Sequence, residues 1–267
     1  MKISFSTLGC PGWSWEEMLA TAKDLGFDGI EVRGIENELY VPKAKPFLTD
    51  SIDSTIERMK RLNLLIPCLT SNCCLFDSEN AETNFTEGKD FIDLAAKLRV
   101  PYVRVLGDRN PHPDKGINTD SVAAALSRLA SYAEGENVTV LVETNGVLAD
   151  SDKMLHLLGC IKNKNVGVLW DVHHPYRFFG ENPGKTYDTL REYIKFVHIK
   201  DSVVENGQIK YKMMGKGDVP VREALDILLT GGYAGFVSLE WVKRWCLELE
   251  EPGVVFSHFA NFMKSYR

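Results

Sequence analysis

Four apolar segments in the second half of the sequence end in side chains that can bind a metal or move protons. Burying a carboxylate or an imidazole there costs several kcal/mol unless a partner compensates the charge. Three carboxylates brought together repel one another unless protons or a cation neutralise them. With one imidazole they form a mostly hard ligand set, which suits one divalent cation such as Mn²⁺, Mg²⁺ or Co²⁺ and also Zn²⁺. The residues are Glu143 in VTVLVET, Asp171 in VGVLWDVHHP, His198 in FVHIKD and Glu240 in GFVSLEW.

Short β-type segments alternate with helical patterns along the whole chain. Residues 14–25 open with Ser14 and place Glu17 three positions later, which is a capping-box pattern at a helix start. Residues 120–133 are rich in Ala and Leu and predict another helix. The segment GKGDVP predicts a turn before the helix in VREALDILL. The eight predicted strands are KISFST, GIEVR, LLIPCLT, YVRVLG, VTVLVET, VGVLWDV, FVHIKD and GFVSLEW.

Eight strands, each followed by a helix, predict an α/β fold in which residues 1–267 form a single (β/α)₈ TIM barrel. A doubly wound open sheet is the alternative, because strands and helices alternate in both. The sequence lacks a G-x-G-x-x-G pattern after the first strand, where a dinucleotide-binding sheet would carry it. The four ligand residues come from strands five to eight, whose carboxyl ends would meet at the mouth of a barrel. The active site is therefore expected at that mouth.

Basic residues at or near the strand ends are candidates for substrate binding. If several of them point into the mouth, they predict an anionic substrate such as a sugar phosphate or a sugar acid. The alternative is that one or more of them pair with carboxylates of the mouth. These residues are Arg33, Arg104, Lys200 and Lys243. Glu31 also ends a predicted strand, and the sequence assigns it no role.

Five segments carry a resemblance to a known family. VETNG, LWDVHHP, VHIKD, GKGDVPV and VSLEW resemble, in order and spacing, motifs of the xylose isomerase-like TIM barrel superfamily. This sugar phosphate isomerase/epimerase group includes ketose 3-epimerases and inosose dehydratases, with endonuclease IV as a more distant relative. The resemblance implies one divalent metal ion bound by Glu143, Asp171, His198 and Glu240. It also implies that the two glutamates transfer protons on opposite sides of the substrate and that His174 contacts the substrate.

Proton transfer by two facing glutamates would invert a carbon next to a sugar carbonyl, which is epimerisation. Return of the proton to the neighbouring carbon would give isomerisation, and loss of water would give a dehydratase. We therefore expect a metal-dependent sugar or sugar-phosphate isomerase or epimerase. The alternatives are an inosose-type dehydratase, a barrel that binds a sugar without turning it over, and a nuclease like endonuclease IV.

The composition restricts the binding partners and the cellular compartment that can be expected. A net charge of −6 and a pI near 5.6 argue against a nucleic-acid partner, which would need a basic face. The start of the chain is too polar for a signal peptide, and no apolar run approaches the roughly 18 residues of a membrane span. The six cysteines show no C-x-x-C spacing and predict free thiols. We expect a cytoplasmic protein with a small-molecule carbohydrate substrate and no membrane partner, and a homodimer or larger homo-oligomer is compatible with such a barrel.

Overall fold

The structure is a computed structural model and describes residues 1–76, 79–113 and 117–266. Its strands are β1 (Lys2–Ser6), β2 (Gly29–Glu31), β3 (Leu69–Cys74), β4 (Tyr102–Leu106), β5 (Thr139–Glu143), β6 (Val166–Asp171), β7 (Ile194–Ile199), β8 (Asp201–Glu205), β9 (Gln208–Lys212) and β10 (Phe236–Leu239). Its α-helices are α1 (Trp15–Asp24), α2 (Ile52–Leu62), α3 (Ala81–Leu98), α4 (Thr119–Glu134), α5 (Ser151–Gly159), α6 (His173–Phe179), α7 (Pro183–Leu190), α8 (Val221–Thr230) and α9 (Pro252–Phe262).

The chain divides into two compact units. The first comprises Met1–Pro67 with His198–Arg267, and the second is Cys68–Val197. Strand β7 begins in the second unit and ends in the first. That residues 1–267 form one domain stays a prediction.

In the first unit, β1 pairs in parallel with β2 on one side and with β10 on the other. The amide of Glu240 donates to the carbonyl of Ile199 at 3.1 Å, so the end of β10 lies beside the end of β7. The Phe5 ring of β1 stacks on Phe256 of α9 with ring centroids 4.2 Å apart, which packs the sheet against that helix. The carboxyl ends of β2, β7 and β10 carry Glu31, His198 and Glu240.

In the second unit, the strands follow the order β6-β5-β4-β3, and the pairs β3–β4, β4–β5 and β5–β6 are parallel. The amide of Val168 in β6 donates to the carbonyl of Tyr193 at 2.8 Å, just before β7 begins. All six residues of β6 are buried, as expected for a parallel strand covered on both faces. The predicted parallel α/β alternation is confirmed.

The predicted helices lie where the sequence placed them. Helix α1 begins after Ser14, whose amide donates to Glu17 Oε2 at 2.7 Å, while the amide of Glu17 donates to Ser14 Oγ at 3.3 Å. The capping box is therefore present. Helix α4 covers the segment predicted at residues 120–133, and the amides of Asp120 and Ser121 donate to its N-cap residue Asn118.

Two local features differ from the sequence prediction. The third strand was predicted over residues 64–70 but begins at Leu69, because Pro67 has no amide hydrogen with which to continue a ladder. The hairpin of β8 and β9 was not predicted. Its turn residues Asn206 and Gly207 both have positive φ, 50° and 74°, which is typical of a type I′ turn. The Asn-Gly pair in VVENGQIK was the sequence signal for this hairpin.

All six cysteines lie among the described residues and are free thiols. Within the part of the chain that the structure describes, no helix combines the length and the apolar character needed to cross a bilayer.

Candidate active site

In the first unit, His198 lies between two carboxylates. Its Nε2 atom is 2.9 Å from Oε2 of Glu31, and its Nδ1 atom is 3.5 Å from Oε1 of Glu240. The hydroxyl of Ser238 donates to the same Glu31 oxygen at 2.6 Å. His198 and Glu31 are both fully buried. The ring is thus held edge-on between a carboxylate on β2 and a carboxylate that follows β10.

Two opposing effects set the ionisation of Glu31. Burial alone would raise the pKa of this carboxyl group. The charge and hydrogen bond of His198, together with the hydrogen bond of Ser238, outweigh burial and hold the Glu31 pKa below its ordinary value. Glu31 is therefore a carboxylate at neutral pH and acts as an acceptor for both neighbours.

The second carboxylate oxygen of Glu240, Oε2, contacts a lysine. Nζ of Lys200 lies 2.5 Å from Glu240 Oε2, and the lysine side chain is 2% exposed. Lys200 was predicted to bind substrate, and the geometry shows the alternative arrangement, in which a basic residue pairs with a mouth carboxylate. The pair leaves Oε1 as the glutamate oxygen that faces His198.

In the second unit, Glu143 at the end of β5 has a comparable arrangement. Its Oε2 atom lies 2.9 Å from Nε of Arg104, which reaches across from the neighbouring strand β4. Arg104 also donates from Nη1 to the carbonyl of Ser71 at 2.8 Å, which anchors the guanidinium. Both side chains are almost fully buried. Oε1 of Glu143 faces Nδ1 of His174 at 3.7 Å.

Asp171 is fixed by the start of α6 and by β5. Its Oδ1 atom accepts from the amides of His173 at 2.8 Å and His174 at 3.3 Å. Its own amide donates to Oγ1 of Thr144 at 2.8 Å, and that hydroxyl donates back to the Asp171 carbonyl at 3.1 Å. The aspartate and the end of β5 are thereby held in register.

His174 has a defined tautomer. Its Nδ1 atom lies 3.0 Å from the carbonyl of Thr144, and a carbonyl can only accept a hydrogen bond. Nδ1 therefore carries hydrogen, and in the neutral ring Nε2 carries the lone pair. Its Nδ1 is also 3.9 Å from Oδ2 of Asp171, so this nitrogen lies within 4 Å of a carboxylate oxygen of both Glu143 and Asp171. Its predicted contact with substrate stays a prediction.

Asp171 and the two histidines that follow it form a candidate metal-binding group. Asp171, His173 and His174 each offer one ligand atom, and these atoms lie within 4.8 Å of one another. The sequence assigned no role to His173. Its ring packs against Phe178 with centroids 6.4 Å apart, which is the packing role expected of a buried histidine.

The remaining predicted substrate residues lie in the first unit. Arg33 is buried, and its guanidinium lies over the ring of Trp245 at 5.9 Å. Nζ of Lys243 donates to the carbonyls of Leu247 at 3.0 Å and Leu249 at 2.6 Å, so this lysine supports the loop after β10.

Several supporting residues were given no role from the sequence. Asn145 and Gly146 of VETNG tie β5 to the loop after β4, because Asn145 Nδ2 donates to the carbonyl of Asp108 at 2.7 Å. Gly146 has φ +56°, and a Cβ there would overlap the Asp108 carboxylate. Ser238 could have been found from the period-two pattern of a strand, since it lies two residues before Glu240.

One pair of predicted ligand atoms has nearly the spacing that a divalent cation requires. Two ligand atoms about 2.1 Å from one ion, at angles of about 90–110°, lie about 3.0–3.4 Å apart. His198 Nδ1 and Glu240 Oε1 are separated by 3.5 Å, just above this range. The hydrogen bond from the other ring nitrogen of His198 to Glu31 is the usual outer contact of a metal-binding histidine.

Comparisons with known proteins identify the family. The family model described as "Xylose isomerase-like TIM barrel" matches residues 19–265. A fructoselysine 3-epimerase of Shigella flexneri is 22% identical over 258 residues, which cover 93% of this chain and 92% of the relative.

Solved structures of low identity share the fold. The probable 3-DHS dehydratase AsbF of Bacillus anthracis is 17% identical with a TM-score of 0.79, covering 98% of each chain. D-psicose 3-epimerase of Clostridium cellulolyticum H10, solved with D-tagatose, is 17% identical with a TM-score of 0.78, covering 100% of this chain and 99% of its own. A xylose isomerase-like protein of Mycobacterium smegmatis, solved with magnesium, is 17% identical with a TM-score of 0.76, covering 98% and 95%. These matches confirm the predicted TIM barrel fold.

Proposed function

Since the chain belongs to the xylose isomerase-like TIM barrel family, we propose that it is a divalent-metal-dependent sugar epimerase or isomerase. The observation that carries this proposal is that two glutamates make the same kind of contacts. Glu143 and Glu240 each pair Oε2 with a buried cationic side chain, Arg104 or Lys200, and each direct Oε1 toward a histidine.

The proposed metal ligands are Glu143, Asp171, His198 and Glu240. In a closed (β/α)₈ barrel, β5, β6, β7 and β10 would bring these four residues to one mouth, because the carboxyl ends of barrel strands share it. A divalent cation bound there would stabilise the negative charge that develops on a substrate oxygen when a neighbouring carbon loses its proton. The neighbour solved with magnesium supports a divalent ion, and the choice among Mn²⁺, Mg²⁺, Co²⁺ and Zn²⁺ is left to the metal analysis below.

Each glutamate has a distinct task in this proposal. One carboxylate accepts a proton from the carbon next to the carbonyl, and the other, carrying a proton, returns one to the opposite face. Delivery to the opposite face inverts that carbon, whereas delivery to the adjacent carbon isomerises the sugar. The relatives that are sugar 3-epimerases favour inversion.

The contacts of the basic residues favour an unphosphorylated ketose over a sugar phosphate. Lys200 and Arg104 are paired with the two glutamates, and Lys243 is bonded to backbone carbonyls of its own loop. A phosphate would need several basic groups directed at it. The predicted substrate contacts of these residues, and of Arg33 and His174, then involve sugar hydroxyls.

Metal analysis is the first experiment. Elemental mass spectrometry of the purified protein, dialysed without chelator, should find about one equivalent of a divalent metal. The metal-loaded protein is then incubated in D₂O with fructoselysine, psicose, tagatose and fructose, and the products are separated. We expect an epimer with deuterium bound at the inverted carbon.

Variants connect the activity to the site. Glu240→Gln should lower turnover by about 10²–10⁴-fold, the typical contribution of a positioned acid or base. Glu248→Gln, which removes an exposed carboxylate eight residues away, should leave turnover unchanged. Full activity of Glu240→Gln on the true substrate would contradict the proposal.

A dehydratase is the second candidate, since the same proton abstraction followed by loss of hydroxide gives an elimination. The similarity to the probable dehydratase AsbF is the observation in its favour. Formation of a dehydrated product from an inosose or from 3-DHS would support the dehydratase. A bound sugar that remains unchanged, with no metal, would indicate a binding protein, and cleavage of abasic DNA would indicate a nuclease.

A further inference from the structure

Glu31 is a fully buried carboxylate that the proposed reaction does not use. It ends β2, and one of its oxygens, Oε2, accepts from both His198 Nε2 at 2.9 Å and Ser238 Oγ at 2.6 Å. A carboxylate in such a place is costly unless its partners compensate for lost water.

The contact decides which nitrogen of His198 carries hydrogen. An ionised carboxylate can only accept, so the hydrogen must lie on Nε2. In the neutral ring the lone pair then lies on Nδ1, the atom 3.5 Å from Glu240 Oε1. The opposite tautomer would place a hydrogen on Nδ1. Nδ1 could then donate to Glu240 Oε1, and neither atom would be available to the cation.

We propose that Glu31 is a positioning residue that selects the tautomer and the orientation of His198, so that Nδ1 is available to the cation. Ser238 supports it by fixing the carboxylate. The inference rests on the proposed function for the role of the metal, but the state of the ring can be measured without any metal.

The decisive measurement is nitrogen NMR of the metal-free protein labelled with ¹⁵N-histidine, at an alkaline pH where the ring is neutral. The signals of His198 are assigned with a His198→Gln variant. We expect hydrogen on Nε2 in the wild type. Glu31→Met removes the acceptor while keeping much of the volume, and should shift the ring toward hydrogen on Nδ1. Glu31→Gln keeps a carbonyl acceptor and should retain the Nε2 hydrogen.

Metal affinity is the second measurement. In titration calorimetry with Co²⁺, Glu31→Met should bind the ion about 10–100-fold more weakly than the wild type. This is the usual effect of removing the hydrogen-bond partner of a histidine that binds a metal. Glu31→Gln should recover part of this loss, and Ser238→Ala should weaken binding less than Glu31→Met. Asp28→Asn is the matched control. Asp28 is a partly buried carboxylate three residues before Glu31, and it accepts a hydrogen bond from the amide of Ile3.

The outcomes separate the two proposals. If Glu31→Met leaves the His198 tautomer unchanged, or affects cobalt binding no more than Asp28→Asn, the positioning role is wrong. If Glu31→Met does not fold, the wild type still tests the role, because hydrogen on Nδ1 of His198 in the metal-free wild type would contradict it. A wild type with the expected tautomer but no affinity for any divalent ion would overturn the metal-dependent function while leaving the control of the ring by Glu31 in place.

Discussion

Nζ of Lys200 lies 2.5 Å from Oε2 of Glu240, and both side chains are buried. A buried ammonium and a buried carboxylate each lose most of their hydration, so each depends on the other. The lysine immediately follows β7 and the glutamate immediately follows β10. This ion pair therefore holds together two strand ends that carry proposed metal ligands.

Removing the lysine should be costly. Lys200→Met leaves a buried carboxylate without its cationic partner, and we expect the free energy of unfolding of the metal-free protein to fall by about 3–5 kcal/mol. The double variant Lys200→Met/Glu240→Gln should lose much less than the sum of the single variants, because the second change removes the uncompensated charge. Urea denaturation of all four proteins measures this coupling, and additive effects would show that the pair is energetically independent.

The hydroxyl of Thr144 should contribute to stability more than its size suggests. Thr144→Val keeps the shape but removes both hydrogen bonds to the backbone of Asp171, and should lower the free energy of unfolding by about 1–3 kcal/mol. Thr139→Val, at the start of β5, is the matched control. Equal urea midpoints for the two variants would contradict this role for the Thr144 hydroxyl.

Gly146 should not tolerate a side chain. Gly146→Ala places a Cβ at positive φ and against the Asp108 carboxylate, which accepts from the amide of Val147 at 3.1 Å. Strain of this kind costs about 1–3 kcal/mol, and thermal unfolding should show a clear decrease in Tm. Gly159→Ala, where a Cβ would meet open space at the end of α5, should have no such cost. A Tm for Gly146→Ala equal to that of wild type would contradict the strain.

The capping box of α1 should make part of the stability dependent on pH. The backbone and then the side-chain hydrogen bonds of Ser14 hold the pKa of Glu17 below its ordinary value. A carboxyl group with a lowered folded-state pKa stabilises the fold above its unfolded pKa, and that stabilisation is lost as pH falls through the folded value. The difference in stability between wild type and Glu17→Gln should therefore be full at neutral pH and vanish in acid. Glu57→Gln, which replaces an exposed glutamate of α2, is the control in urea denaturation, and the same result for both variants would contradict this role of the capping box.

The sequence predicted the strands and the four proposed ligands because both depend on local signals. Apolar segments of four to eight residues predict buried strands, and polar residues at their ends predict a mouth. The third strand was misplaced because the apolar run LLIPCLT contains Pro67, whereas the strand itself includes the polar residues Ser71 and Asn72. The hydrophobic periodicity alone could not distinguish the predicted position of this strand from the observed one.

The supporting contacts could not be predicted from the sequence. Glu31 is 167 positions from His198 and 207 positions from Ser238, so nothing local connects them. The pairing of Lys200 with Glu240 was one of two alternatives for a basic residue near the mouth, and only side-chain placement distinguishes them. The Asn-Gly turn of the β8–β9 hairpin, by contrast, was a local signal that the strand count overlooked.

Asp201 closes the base of that hairpin. Its Oδ2 accepts from the amide of Gly217 at 2.8 Å, and its Oδ1 accepts from the amides of Ser202 at 2.9 Å and Val219 at 3.3 Å. The segment between residues 201 and 217 thus begins and ends at one fixed point, three residues after His198. Loop length can change there at little entropic cost while the strand end stays in place. The tip of the hairpin is consequently the position at which this chain could be shortened, or a foreign peptide grafted, with the least effect on the strand end that carries His198.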